Sequence, residues 1–129
     1  MQKKILVISS ISGLLCVVLG AFGAHKLKEL LPPDQLAVFE TAVRYQFLHT
    51  FALIAVAILI YDHENKFLKR AAYAFITGII LFSGSLYLLS TRSLIGAEMN
   101  WLGPITPLGG LFFMIGWLML LLFAVKKNN

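Results

Sequence analysis

Apolar residues fill four long stretches of the chain, Ile5 to Ala24, Tyr45 to Tyr61, Ala71 to Thr91 and Met99 to Val125, and none contains Asp, Glu, Lys or Arg. A bilayer core about 30 Å thick takes roughly 20 helical residues to cross. Each stretch therefore predicts a transmembrane helix. Helix-breaking residues refine the ends. Pro32-Pro33-Asp34 should stop any extension of the first helix, with Asp34 capping the next. From there Leu36, Phe39 and Val43 recur at helical spacing, with Glu40 and Arg44 placed four apart for an ion pair. A helix continuing from Gln35 to Tyr61 would be about 40 Å long, so its first turns should lie in or above the interface. Asp62 to Arg70 reads as a short charged turn. Pro104-Ile105-Thr106-Pro107 argues against regular helix before Leu108, so the fourth span is read as residues 108–125.

The expected fold is an all-α integral membrane protein, a single domain of 129 residues with four transmembrane helices in one bundle. Composition supports this. The chain is 59% hydrophobic and 13% charged, with mean hydropathy +0.84. A soluble bundle of this composition would leave large apolar faces in water. The net charge of +5 does not imply nucleic acid, because the basic residues flank the apolar runs instead of forming a stripe. They bear instead on orientation. Lys3, Lys4, Lys66, Lys69, Arg70, Lys126 and Lys127 fall on one side and Lys26, Lys28, Arg44 and Arg92 on the other, seven against four. Both termini are therefore expected in the cytoplasm, in the plasma or inner membrane. Lys3-Lys4 and the small residues from Gly20 to Ala24 also resemble a cleavable signal, but the apolar run exceeds the usual signal core. An intact anchor is expected.

Span one carries Ser9, Gly13, Cys16, Gly20 and Gly23 at alternating spacings of four and three, which places them on one stripe. Helices in lipid associate by close approach across small residues, so this span is expected to be a central packing helix. Gly109 and Gly116 offer span four a similar face. The lone Cys16 reads as a packing residue.

Connecting the spans brings their polar ends together. His25, then Arg44, Tyr45, Gln46 and His49, then Ser83, Ser85, Tyr87 and Ser90, then Thr106 and the Gly109-Gly110 pair should share one half of the bilayer. A polar pocket is expected there, built from His25, Arg44, Tyr45, Gln46, His49, Ser83, Ser85 and Tyr87. His49 lies within an apolar run and should face the bundle or water. It reads either as a proton-responsive gate or as a structural partner of Tyr87, a serine or a carbonyl on a neighbouring helix, and the structural role is favoured. His25, His49 and Glu40 lack the spacing of a metal motif. No metal or cofactor is expected. The chain has no phosphate-binding loop, serine-histidine-acid signature or CxxC, and no catalytic residue is assigned.

Gly20-Ala21-Phe22-Gly23-Ala24-His25, Thr41-Ala42-Val43-Arg44-Tyr45-Gln46 with His49, Phe82-Ser83-Gly84-Ser85-Leu86-Tyr87, and Pro107-Leu108-Gly109-Gly110 with Gly116-Trp117 follow in that order. Together they resemble the small bacterial membrane proteins grouped as "domain of unknown function four-two-three", which have a small eukaryotic transmembrane relative. The resemblance implies a multi-pass plasma-membrane protein of four helices and carries over no catalytic or binding residue. The expectation is a non-enzymatic structural, lipid-interacting or assembly protein. Its partners would be membrane lipid and either further copies of itself or a larger membrane complex, not nucleic acid. The alternative is a small oligomeric transporter or channel of unknown substrate. Every Asp and Glu lies outside the apolar runs, which weakens proton-coupled export.

Overall fold

The computed structural model describes residues 1–62 and 65–127. Among these, four helices are long and apolar enough to cross a membrane. They are α1 (Gln2–Leu30), α2 (Pro33–Asp62), α3 (Lys66–Ser90) and α4 (Ile105–Lys127). Two contain π-helical turns, Gly23–Leu27 in α1 and Ile79–Ser83 in α3.

The chain chemistry explains the ends. Leu31 is extended, with φ −98° and ψ 142°, because a residue before proline is pushed out of the helical region. Pro33 then takes the first helical position of α2, where its missing N–H costs nothing. Asp34 is consequently in the first turn and not the cap, a site where its carboxylate still suits the helix dipole. Helix α3 is capped by Asn65, whose Oδ1 accepts from the Phe67 N–H at 2.8 Å. The expected turn from Asp62 to Arg70 is thus helical from Lys66 onward; its residues 63 and 64 lie outside the described residues. Helix α4 begins at Ile105 and not Leu108. Pro107 falls within its first turn, where backbone N–H groups have no intrahelical acceptor to lose.

Between α3 and α4 a short helix, Arg92–Ile95, ends at Gly96 with φ 70°. Arg92 Nη1 donates to Leu89 O at 2.8 Å, satisfying a carbonyl at the end of α3. Ser93 Oγ donates to Gln35 Oε1 at 2.8 Å and ties this connection to the start of α2.

Helices α2 and α3 form the packed centre, with α4 laid against α3. The core comprises Leu53, Val56 and Ala57 of α2, Leu68, Ala71 and Phe75 of α3, and Phe113 and Phe123 of α4. Most of this core lies in the half nearer the termini. A smaller cluster of Leu27, Leu31 and Phe39 closes the opposite end. Helix α1 is peripheral, contrary to its expected central place. It packs chiefly on α2, burying Ile5, Ser9, Ser12 and Cys16 while Leu14 and Val17 face outward. A groove of about 190 Å³ runs between α1 and α3, lined by Ile8, Ile11 and Leu15 on one side and Ile76, Ile79 and Ile80 on the other.

Candidate functional site

Gln46 and Thr50 stand one turn apart on α2, on the face that meets α1. The Thr50 hydroxyl donates to Gln46 O at 2.7 Å. Its single proton is thereby used, so in the 2.7 Å contact between Ser12 Oγ and Thr50 Oγ1 Ser12 is the donor. Gln46 Nε2 in turn donates to Ser12 Oγ and Ser12 O, both at 3.2 Å. Gln46 Oε1 accepts from the Tyr87 hydroxyl of α3 at 2.7 Å. Donors and acceptors run in one consistent direction, from Tyr87 to a backbone carbonyl, and join three helices. Ser12, Gln46 and Thr50 are all buried.

His49 lies three residues after Gln46 and is turned towards α3 and α4. Its Nε2 receives the Trp117 indole N–H at 3.2 Å. An indole can only donate, so Nε2 is bare and Nδ1 carries the proton, which it gives to Tyr45 O at 2.7 Å. The imidazole stacks on Phe113, with centroids 3.5 Å apart and planes 7° from parallel. Phe75 and Trp117 close the remaining sides at 5.7 Å and 6.1 Å. The expected partner from Tyr87, a serine or a neighbouring helix's carbonyl is therefore replaced by α2's own carbonyl and an α4 indole.

The serines of α3 divide between crossing and local bonds. Ser83 Oγ donates across to Ala42 O of α2 at 2.8 Å, and Ser85 meets Thr106 Oγ1 of α4 at 2.6 Å. Ser90 bonds back to Tyr87 O at 2.9 Å, an intrahelical use open to any serine. The Tyr45 ring packs on Phe82, 4.6 Å between centroids.

The structure thus brings together Tyr45, Gln46, His49, Ser83, Ser85 and Tyr87, but in joints between helices instead of one shared pocket. His25 and Arg44 stay outside, both exposed. Arg44 lines a separate surface groove of about 330 Å³ between α1 and α2. Glu40 and Arg44 form no ion pair; among the described residues Lys26 Nζ and Glu29 Oε2 do, at 3.7 Å. Nor do His25, Glu40 and His49 converge, and among the described residues no group of three or more His, Cys, Asp or Glu side chains could hold a metal.

On α1, Gly23 marks a close approach, while Gly13 and Gly20 sit at ordinary contact distance. A Cβ on Gly13 would stand 3.7 Å from Thr50, one on Gly20 3.6 Å from Val43, and one on Gly23 2.9 Å from Phe39. With buried Ser9 and Cys16, this stripe faces α2. A Cβ on Gly109 would strike the α3 backbone at Leu81 and Phe82, beside the π turn. Gly116 faces the Phe75 ring, and reciprocally Gly78 of α3 faces the Phe113 ring of α4.

Ser12, Thr50, Gly78 and the aromatic enclosure of Phe75, Phe113 and Trp117 were not among the candidates. Ser12 falls three residues after Ser9 and Thr50 four after Gln46, so helical spacing could have found both. Nothing in the spacing of Phe75 or Phe113 distinguishes them from other core rings.

Comparison with known proteins agrees with this architecture. Residues 19–110 match the family model described as "Protein of unknown function (DUF423)". The chain belongs to this family. A UPF0382 membrane protein of Haemophilus influenzae is 39% identical over 129 residues, covering 100% of this chain and 99% of the relative. The UPF0382 membrane protein YwdK of Bacillus subtilis is 41% identical over 127 residues, covering 97% and 98%. The UPF0382 inner membrane protein YgdD of Escherichia coli is 31% identical over 128 residues, covering 99% and 94%. No solved structure matches. The stretch matched to the DUF423 model takes in Gln46, His49, Ser83, Ser85 and Tyr87 but stops short of Trp117.

Proposed function

We propose that this protein is a non-enzymatic membrane component that works structurally, by organising lipid or by assembling with other membrane subunits. What supports the reading is the use of its buried polar groups. Among the described residues every buried side-chain nitrogen or oxygen has a hydrogen-bond partner, and the joints from Ser12 to Tyr87, Ser83 to Ala42, Ser85 to Thr106 and His49 to Trp117 hold helix to helix. A path for ions or solutes would need some of these groups free to exchange partners. The surface left for interaction is then the apolar outside, in contact with lipid, further copies of the chain or a larger complex. The excess of Lys and Arg beside the termini and the second loop supports both termini in the cytoplasm.

Purification in mild detergent, with mass spectrometry of whatever stays bound, tests the reading. A stoichiometric protein partner or retained lipid is expected. Solute flux in reconstituted liposomes, abolished by His49→Ala with folding intact, would instead establish a transporter. Compartment reporters fused to each terminus test the sidedness, and a periplasmic C-terminus would reverse it.

A further inference from the structure

The groove between the end of α1 and the start of α2 is lined by Gly20, Gly23, Ala24, Val43 and Phe47, with Glu40 and Arg44 in its wall. Two opposite charges one helical turn apart commonly pair. Here they do not, and among the described residues neither makes a hydrogen bond or ion pair with another side chain. Their depth is ordered. Arg44 adjoins Tyr45, the first residue of the charge-free stretch, whereas Glu40 lies one turn further out. On the α1 side the apolar stretch ends at Ala24, in the same groove. From the hydrocarbon outward the groove therefore offers apolar walls, then a cation, then an anion.

We propose that this groove binds a phospholipid whose headgroup carries a primary ammonium, the ethanolamine class. In such a lipid the acyl chains, the phosphate and the ammonium follow one another outward in the order that matches these walls. An acyl chain lies along Gly20, Val43 and Phe47, where the missing side chain of Gly20 leaves room. The phosphate oxygens accept from the Arg44 guanidinium, a fork suited to phosphate. The ammonium donates to the Glu40 carboxylate. A choline headgroup has no N–H to donate. A glycerol headgroup has no cation for Glu40, and its net negative charge is repelled there. This inference rests on the lipid-interacting reading above and gives it a headgroup.

The test uses full-length protein in nanodiscs and native mass spectrometry, with ethanolamine, choline and glycerol phospholipids of identical acyl chains. At an exposed site the N–H···carboxylate hydrogen bond that choline lacks contributes about 0.6–1 kcal/mol, so ethanolamine lipid is expected to bind about three- to fivefold more tightly than choline lipid. Arg44→Ala should weaken all three lipids. Glu40→Gln should weaken ethanolamine lipid more than choline lipid and so abolish the preference between them, and Glu40→Lys should turn binding towards glycerol lipid. Both side chains are exposed, and a melting curve for each variant confirms the fold. Equal binding of the three lipids, or a preference that survives Glu40→Gln, overturns the proposal alone. Solute flux through vesicles of the same composition overturns the structural reading beneath it, and the proposal with it.

Discussion

Substituting Gly116 by alanine tests the packing of α3 against α4 most sharply, because a second glycine supplies its own control. The added Cβ at Gly116 would collide with Cε1 and Cδ1 of Phe75 and lie 2.9 Å from its Cζ. Phe75 has no room to retreat. It is fully buried and is held edge-on against Trp117 at 5.3 Å and beside His49 at 5.7 Å. Overpacking of this kind costs about 1–3 kcal/mol. Alanine also gains about 1 kcal/mol over glycine in a helix interior, which masks part of that cost in a single variant. At Gly84 of α3 an added Cβ meets nothing within 4 Å. Gly84→Ala therefore carries the propensity gain without the collision, and the difference between the two variants isolates the steric cost at about 1–3 kcal/mol. Reversible unfolding in mixed micelles measures both. Gly116→Ala should be less stable than Gly84→Ala by that margin, and Phe75→Leu in the Gly116→Ala background should cost less than in the parent. If the two alanines are equally tolerated, the close approach of α3 and α4 at Gly116 is wrong.

Trp117→Phe keeps a ring but removes the donor to His49 Nε2, and should cost about 0.6–1.7 kcal/mol in the same unfolding assay. In the parent, nitrogen NMR of His49 should show a protonated Nδ1 and a bare Nε2; the opposite tautomer would contradict the Trp117 contact. Gly96→Ala, at φ 70°, should destabilise by about 1 kcal/mol, although open space surrounds it; a neutral result would argue against the left-handed turn.

Four helices able to span a membrane were legible because charge-free runs of this length have few other solutions. The finer errors have local causes. Proline reads as a stop at Pro107, yet the first turn of a helix tolerates it, so α4 starts earlier, at Ile105. The stripe from Ser9 to Gly23 announces a close neighbour but not how many neighbours, and α1 has chiefly one. The polar residues of α2 stand out within an apolar run. Their partners depend on how α2 is rotated, and neighbouring positions face different helices. Gln46 and Thr50 thus meet α1 and α3, while His49, between them in sequence, meets α4. Charge patterning likewise suggested pairing Glu40 with Arg44, because spacing of four says only that they can reach each other.

The central claim is that the polar residues within the spans are joints between helices. A double-mutant cycle of Gln46→Leu and Tyr87→Phe, read by reversible unfolding, tests it most directly. Their hydroxyl-to-amide contact at 2.7 Å should give a coupling energy of about 0.6–1.7 kcal/mol, with each single variant less stable than the parent. Additive effects, or single variants as stable as the parent, would contradict the claim.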